Sequence, residues 1–333
     1  MSGAAVLWQE WPRLFDKLRR RLASYSGNTQ RALASDWRAW QGWCAAEGRE
    51  PFPAAAGDVV DYVLAHSPPL VHGAAGELVM ELEGVAPHAK RASTVTRWLA
   101  SLATLHRIAD VEDPTRDEDV RAVRRAVTRG RRAPEQKAAL RWSDVKRALA
   151  VLGNDLRDLR GKALIAMAYS TLARRAELTA LRVEDVSFGS EGDGSVTLKT
   201  KGGDYKERYL APEARSALES WLREAHIERG AIFRRLESSG RAGERAITAA
   251  EVARTFKRIA GIIGLDSTRP VARISAHSTR IGAAQDLTAA GAALPEIMLA
   301  GGWKSPQMPA HYARKLDVRQ GAMRRWLEAA REE

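Results

Sequence analysis

A small set of residues in the last quarter of the chain has the chemistry to cut a phosphodiester. His277 and Arg280 are three positions apart, so they share one face if the segment is helical. Trp303 follows in a Gly-Gly-Trp motif, and Tyr312 comes shortly after it. A guanidinium matches the geometry of phosphate and stays charged, and an indole adds a hydrogen-bond donor. A tyrosine, with a pKa of about 10, suits a reaction whose product is a stable phosphotyrosine, which favours DNA strand exchange over hydrolysis.

Two further positions could complete this set. Arg174 and Glu177 are three residues apart at the polar end of an apolar stretch, where the carboxylate could orient the guanidinium. The alternative is an ordinary surface ion pair. Lys201 directly precedes Gly202 in a predicted turn, and Lys199 lies on the same strand face by alternation, so spacing alone does not separate them. The turn position favours Lys201. Each residue taken alone also has a purely structural explanation, and only their order and spacing together indicate a site.

The charge of the chain predicts a polyanionic partner. Its 333 residues include 53 Lys and Arg against 41 Asp and Glu, which gives a net charge of +12. Such a balance favours nucleic acid first and a membrane surface second, and a merely basic soluble protein is the alternative. No apolar run reaches membrane length, and the N-terminus lacks a signal-peptide pattern. We therefore expect a soluble intracellular protein without a membrane partner.

The cysteine and histidine content argues against covalent cross-links and structural metals. The chain has one cysteine, Cys44, among Trp37, Trp40 and Trp43, so we expect a buried thiol and no disulfide within the chain, as suits a reducing cytosol. The seven histidines lack metal-site spacing, so we predict no metal. No nucleotide-binding motif is evident, and we predict no cofactor.

Apolar periodicity predicts a mainly α-helical chain with two domains and one small antiparallel sheet. The first domain, 1–130, contains helices capped at Asn28, Asp58, Ser93 and Asp117, and residues 67–92 resist assignment. A basic segment with Gly130 and Pro134 predicts a linker at 131–138, although an ordinary loop is an alternative. The second domain, 139–333, is predicted to hold a helix capped at Ser143, a buried helix at 163–172, a strand–turn–strand at 195–210, helices at 212–226, 249–263, 278–290 and 295–300, and an amphipathic C-terminal helix.

These motifs resemble the tyrosine site-specific recombinases. The likeness is dense through 277–287, 290–303 and Tyr312, resumes through 169–185, and is sparser at 37–44 and 94–107. By this resemblance Tyr312 is the nucleophile that forms a 3′-phosphotyrosine. The remaining roles are carried over in the same way: Arg174 and Arg280 as phosphate clamps, His277 beside them, Trp303 as indole donor, Lys201 as general acid and Glu177 as the supporting acid.

The resemblance also implies how the protein acts. Family members close two domains around DNA as a C-shaped clamp, assemble as tetramers on paired inverted-repeat sites, and pass through a Holliday junction without ATP. The C-terminal helix, with Met323, Trp326 and Leu327, is then expected to dock into a neighbouring subunit. Arg31 and Arg97 resemble DNA-contacting positions, with a solvated helix face as the competing interpretation. A plasmid or phage origin and a nucleoid-associated cytoplasmic location follow by analogy.

Two other functions stay open at this point. A type IB topoisomerase uses a similar set of residues, but it relaxes supercoils as a monomer and does not need a docking helix. A DNA-binding protein could keep the same fold without the chemistry, although the presence of all the expected catalytic residue types argues against it. Excision, inversion, integration and dimer resolution share one chemistry, and the sequence does not separate them.

Overall fold

The chain folds into two compact units, Met1–Glu135 and Gln136–Glu333. A computed structural model describes residues 20–68, 70–72, 78–80, 90–129, 137–200, 203–265, 268–313 and 322–331. Most of the predicted linker at 131–138, together with Lys201, lies outside these ranges. No helix in the described part of the chain is long and apolar enough to cross a lipid bilayer. The assignment of DNA binding to the first unit and of catalysis to the second unit stays a prediction.

The first unit is helical, as predicted. Its elements are α1 (Gly27–Ala46), α2 (Ala56–Ala65), the short antiparallel strands β1 (Leu70–His72) and β2 (Leu78–Met80), α3 (Ala92–Ala109) and α4 (Glu118–Arg129). The strands fall in the stretch that the sequence left unassigned.

Aromatic side chains form the core of this unit. The Trp40 ring stacks on Trp43 with centroids 5.6 Å apart and meets Tyr62 edge-on at 5.1 Å. The indole of Trp40 donates to the carbonyl of Pro51 at 2.8 Å, which satisfies its polar atom. Cys44 is fully buried beside this cluster, as expected, and its burial raises the pKa of the thiol to about 11.

Several predicted helix caps are wrong, because the helices begin before the residues that were expected to cap them. In α1 the cap is Ser26, whose hydroxyl accepts from the Thr29 amide at 3.3 Å, while the Asn28 amide oxygen accepts from Arg31 at 2.7 Å. The other displaced caps now lie inside their helices: Asp58 in the first turn of α2, where it pairs with Arg49, Ser93 in α3 and Ser143 in the second unit. Asp117 does precede α4 and accepts from the Asp119 amide at 2.8 Å.

The second unit is built around a buried helix. Its helices are α5 (Trp142–Val151), α6 (Leu156–Ser170), α7 (Arg175–Ala180), α8 (Pro212–Glu224), α9 (Ala249–Ile262), α10 (Ser278–Ala289), α11 (Leu294–Gly301), α12 (Gln307–Ala313) and α13 (Ala322–Ala329). Residues 163–168 of α6 are completely buried, and α5, α8, α9 and α10 pack around this helix. The predicted central helix is therefore confirmed, although it begins and ends earlier than expected.

The second unit contains two small sheets where the sequence predicted one. The strands β3 (Val186–Phe188), β4 (Gly194–Lys199) and β5 (Tyr205–Leu210) form an antiparallel sheet, and β6 (Arg234–Leu236) pairs with β7 (Ala242–Ala246). The second pair escaped prediction because its residues are largely charged or small and do not alternate. In the larger sheet, Val196 on β4 lies opposite Arg208 on β5.

A buried carboxylate joins α1 to α3 in the first unit. Asp36 is 4% exposed and accepts from the Ser101 hydroxyl at 2.7 Å. Arg97 supplies its counter-ion, with 2.8 Å between Nη2 and Oδ1. Arg31, in contrast, is exposed, and among the described residues its side chain bonds within the first turn of its own helix. Arg97 therefore has a structural partner, whereas Arg31 leaves its outer surface to solvent. A DNA contact for either residue stays a prediction.

This difference predicts unequal effects on stability. Arg97→Met leaves the buried Asp36 carboxylate without its counter-ion, so the free energy of unfolding of the first unit should fall by about 1–3 kcal/mol. Arg31→Met, the matched control, should change it by less than about 0.5 kcal/mol. Urea unfolding followed by tryptophan fluorescence measures both. Equal stability of the two variants would contradict a structural role for the Arg97 pair.

Candidate active site

Helix α10 carries the central arginine, and its first turn is fixed by the segment before α5. The Leu140 amide donates to the Ser278 carbonyl at 2.9 Å. The Leu140 carbonyl lies so close to Gly282 that a Cβ there would come within 1.8 Å of it. Only glycine allows this approach. Ser278, Thr279 and Arg280 are buried as a result.

The last turns of α10 are anchored by a carboxylate. Asp286 pairs with Arg141 and accepts from the Trp142 amide at 2.9 Å and from the Tyr169 hydroxyl at 2.6 Å. Burial, followed by this hydrogen bond, raises the pKa of Tyr169, so its phenol stays a donor. The helix is thus held at both ends, and side chains along it keep fixed positions.

Arg280 is the most deeply buried charge of the site. It is 2% exposed, and its guanidinium donates to the carbonyl of Leu172 and, at 3.0 Å, to the carbonyl of Gly301. The guanidinium also lies 4.6 Å from the centroid of the Trp303 ring, a cation–π contact. Burial, followed by the charge of Arg174, lowers its pKa to about 10, so it is cationic at neutral pH. Leu172 holds a left-handed φ of 48°, which is uncommon for leucine and turns its carbonyl toward this charge.

Arg174 and Glu177 form an intimate pair. Arg174 caps α7, and the Glu177 carboxylate accepts from its amide at 2.6 Å and from its Nη1 at 2.8 Å. The other terminal nitrogen, Nη2, donates to the Gly302 carbonyl at 3.1 Å. Glu177 is 8% exposed and the Arg174 side chain is 36% exposed. The carboxylate therefore fixes an arginine that still faces solvent, in agreement with the orienting interaction expected from the sequence.

The loop after α11 brings both arginines together. Gly301 and Gly302 each supply a carbonyl to a different guanidinium, and Trp303 lies beneath one of them. Gly302 has a φ of 64°, and a Cβ on Gly301 would come within 1.9 Å of the Trp303 ring. Both positions therefore require glycine.

Tyr312 is buried next to this loop. It is 8% exposed and packs with Ile281 and Ile297, and its carbonyl accepts from Gln285 at 3.1 Å. Its ring meets Trp303 edge-on, with centroids 6.0 Å apart. Burial raises the pKa of the phenol, although the charges of Arg280 and Arg174 oppose the rise. The structure thus brings Arg174, Glu177, Arg280, Trp303 and Tyr312 together around one loop.

His277 lies at the edge of the same cluster. It precedes the first turn of α10 and keeps exposed surface, while the protein crowds its inner side. Desolvation, and then the positive charges of Arg280, Arg175 and Arg174, lower its pKa. The imidazole therefore stays neutral at neutral pH and can accept a proton.

Of the two lysines considered as the general acid, only Lys199 lies within the described residues. Lys201 lies outside the described residues, so its role as general acid stays a prediction. Lys199, the other candidate, is exposed at the end of β4, and its Nζ lies 5.9 Å from the centroid of the Tyr205 ring.

One arginine near the site was missed by the sequence analysis. Arg208 on β5 is half-buried, and its Nη2 lies 2.6 Å from the point where a Cβ on Gly302 would be. The signal that could have revealed it is alternation, because Arg208 shares a strand face with the fully buried Leu210. A charged residue at an inward-facing strand position is uncommon without a purpose.

Comparisons with known proteins show which family the chain belongs to. Residues 139–319 match the model of the phage integrase family. The chain is 30% identical to "Recombinase cre" of Escherichia phage P1, over 95% of this chain and 92% of that protein. It is 29% identical to "Integrase/recombinase xerD homolog" of Selenomonas ruminantium, over 81% of this chain and 76% of the relative.

Solved structures share the fold. The Tn1549 transposon integrase in complex with transposon right end DNA superposes with a TM-score of 0.62 and 16% identity, covering 95% of this chain and 98% of that one. A lambda integrase dimer bound to a core site gives a TM-score of 0.57 and 14% identity, covering 95% and 83%. Together with the family match, these findings place the chain in a class of enzymes that act on DNA. It belongs to the phage integrase family, the tyrosine recombinases.

The electrostatics of His277 give a testable pH dependence. Because burial and three arginines disfavour the imidazolium, its pKa in the free protein should lie below the ordinary value of about 6.5, so the ring stays neutral until the pH falls further. Arg174→Met removes one of these charges and should move the pKa upward. NMR titration of 13C-labelled histidine measures both values. A wild-type pKa at or above the ordinary value would contradict the electrostatic account.

Proposed function

We propose that this chain is a site-specific DNA recombinase that cuts and rejoins DNA through a 3′-phosphotyrosine on Tyr312. The observation that carries the proposal is the placement of a buried tyrosine against the same short loop that two guanidiniums grip through its carbonyls. A nucleophile and two phosphate-binding cations on one rigid frame are what in-line attack on a phosphodiester needs.

Each step can be assigned to residues of this chain. The Tyr312 oxygen attacks the phosphorus and transfers its proton to the neutral His277. The bond from phosphorus to the 5′ oxygen breaks, and Lys201 protonates the leaving 5′ oxygen, which departs as a hydroxyl. Arg174 and Arg280 stabilise the negative charge on the non-bridging oxygens, and Trp303 adds an N–H donor. Attack by the 5′ hydroxyl of another strand reverses these steps and releases Tyr312.

This chemistry conserves bond energy. One phosphodiester is exchanged for a phosphotyrosine ester and then restored, so the exchange requires no nucleotide cofactor. The raised pKa of Tyr312 fits this scheme, because the phenol then stays protonated until a phosphate is in place to be attacked. The supporting interactions of Glu177 keep Arg174 in the orientation that phosphate binding needs.

Recognition of DNA is proposed to involve both units. The net charge of +12 favours phosphate contacts, which should make binding strongly dependent on salt. We propose that the two units enclose duplex DNA as a clamp at inverted-repeat sites, with Arg31 and Arg97 near the backbone. The Tn1549 transposon integrase was solved in complex with transposon right end DNA, which supports a DNA partner for this chain. The named relatives come from a phage and a bacterium, which supports a plasmid, phage or bacterial origin; a nucleoid-associated location stays a prediction.

Assembly is proposed to use the C-terminal helix. In α13, Met323 is 67% exposed, Trp326 63% and Leu327 41%, an apolar face that a single subunit leaves uncovered. Docking of this helix on a neighbouring subunit would build a tetramer that exchanges strands through a Holliday junction. A type IB topoisomerase has no such need, and the relatives named as recombinases and integrases do not favour that alternative.

Covalent capture tests the chemistry directly. Wild-type protein incubated with a randomised duplex DNA library should yield DNA that stays attached after denaturation and phenol extraction, and sequencing of this DNA gives the cleavage site. Tyr312→Phe keeps the ring packing but lacks the nucleophilic oxygen, so its adducts should fall to background. Equal amounts of adduct from both proteins would falsify the assignment of Tyr312, and absence of adduct from the wild type would refute the enzyme itself.

Removal of the tail separates assembly from cleavage. Protein that ends at Gly321 lacks α13 and should bind a single captured site with at most a few-fold change, while it loses tetramer formation on paired sites and resolution of two-site plasmids into circles. Gel shifts and plasmid assays measure these steps, and Met323→Ser with Trp326→Ser provides a milder variant. Unchanged tetramers from both forms would rule out the docking role, and efficient supercoil relaxation without circles would support the topoisomerase alternative.

A further inference from the structure

Arg208 lies where a third guanidinium could reach the reaction centre. It projects from β5 on the same sheet face as its partner Val196, which is fully buried. Its Nη2 lies 2.6 Å from the position that a Cβ on Gly302 would occupy, and the carbonyl of Gly302 accepts from Arg174. The guanidinium of Arg280 lies over the ring of the next residue, Trp303. Three arginines from three separate elements thus converge on one loop.

The surroundings of Arg208 do not neutralise it. Within the described ranges no carboxylate forms a salt bridge with Arg208, whose guanidinium donates a long hydrogen bond of 3.3 Å to the carbonyl of the preceding residue, Glu207. The pKa of Arg208 is lowered, and desolvation is the largest cause. The charge of Glu177 opposes this shift, and the charge of Arg174 adds to it. Glu177 is already bonded twice by Arg174. A half-buried cation with so few partners is costly unless another anion binds it.

Gly302 is the residue that allows this approach. Any side chain there would place its Cβ 2.6 Å from Nη2 of Arg208, closer than non-bonded atoms come. The positive φ of Gly302 is one reason for a glycine at this position. The second is that the guanidinium of Arg208 fills the space that a side chain would need. The loop that carries Trp303 is therefore shaped to admit the tip of Arg208 alongside Arg174.

We propose that Arg208 is a third phosphate-binding guanidinium of the active site, which contacts a non-bridging oxygen of the scissile phosphate. This inference rests on the proposed recombinase function and adds a catalytic residue to it. Arg174, Arg208 and Arg280 carry three positive charges against the single carboxylate of Glu177, which leaves two positive charges. A phosphodiester carries one negative charge, and its pentacoordinate transition state carries two. A third guanidinium on a non-bridging oxygen therefore stabilises the transition state more than the substrate.

A purely structural role predicts a different outcome. If Arg208 only packed against Gly302, its loss would shift the loop and slow cleavage whatever the charge of the phosphate. If it binds the phosphate, its loss matters only while the phosphate is charged. A methylphosphonate at the scissile position removes one negative charge and keeps the tetrahedral shape, so it separates the two roles.

The test compares single-turnover adduct formation on the captured site, with either a phosphodiester or a methylphosphonate at the scissile position. Arg208→Met should slow cleavage of the phosphodiester by about 100-fold relative to wild type. On the methylphosphonate, the ratio of the wild-type rate to the Arg208→Met rate should shrink to less than about tenfold, since the transition state then carries one negative charge fewer. Arg208→Lys, which keeps the charge but not the fork, should fall between them.

Two controls exclude trivial explanations. Lys206→Met removes a charge from the exposed position two residues earlier on the same strand face, and it should alter the ratio between the two substrates by less than twofold. A methylphosphonate one step from the scissile position should leave the 100-fold gap intact. Thermal unfolding and DNA binding establish that Arg208→Met is folded.

Failure of the role proposed for Arg208 can be distinguished from failure of the proposed function. An equal loss on both substrates, or wild-type cleavage by Arg208→Met, overturns the role of Arg208 while the recombinase stands. If Arg208→Met does not fold, Arg208→Lys and Arg208→Gln replace it. A ratio of cleavage rates on the two substrates that equals the wild-type ratio would then also overturn the role of Arg208. If the wild type forms no adduct on either DNA, the enzyme assignment fails and the inference fails with it.

Discussion

The site depends on the burial of a single guanidinium. A charge as deeply enclosed as that of Arg280 is costly unless its donors are satisfied, and here the backbone satisfies them. The carbonyl of Leu172 comes from the end of α6, and that of Gly301 comes from the end of α11. Arg280 itself belongs to α10. One cation therefore ties together the ends of three helices, and the positions of Trp303 and Tyr312 follow from that arrangement.

The positive charges of the site favour the binding of an anion, and burial keeps the phenol of Tyr312 protonated. Arg174 and Arg208 add their charges to that of Arg280, while Glu177 offsets one of them. Desolvation, and then the charges of Arg280, Arg175 and Arg174, lower the pKa of His277, so the imidazole is neutral and able to receive a proton. Tyr312 experiences two opposing effects, because burial raises its pKa and the arginines lower it. A neutral phenol beside a cationic frame gains reactivity only when phosphate and base are both in position.

Much of this arrangement could be predicted from the sequence. The order and spacing of His277, Arg280, Trp303 and Tyr312 predicted that these residues lie together, and the structure brings them close, although their catalytic roles stay a prediction. Apolar periodicity predicted the buried helix α6, because that signal is local. Helix starts were less certain, since Ser26 and Asn28 are both residue types that cap helices and only geometry decides between them. The partner that Asp36 finds in Arg97 joins distant segments and left no local pattern.

Arg208 illustrates what sequence patterns miss. Its importance follows from a close approach to Gly302, and two residues so far apart in the chain give no sign of contact until the fold is known. The second small sheet of the second unit was missed for a related reason, since β6 and β7 are short and rich in charged residues. Chemistry that depends on residue type is readable from sequence, whereas chemistry that depends on proximity is not.

The clustering of arginines around Gly301 and Gly302 also sets fold stability against activity. In the folded protein these like charges are held together, whereas in the unfolded chain they are far apart, so the cluster is a point of local frustration in an otherwise consistent fold. Directed evolution for heat resistance would tend to relieve this frustration by replacing an arginine or filling a glycine, and it would do so at the expense of strand exchange. Thermostable descendants of this protein are therefore best sought through changes elsewhere, for example in the surface helices of the first unit.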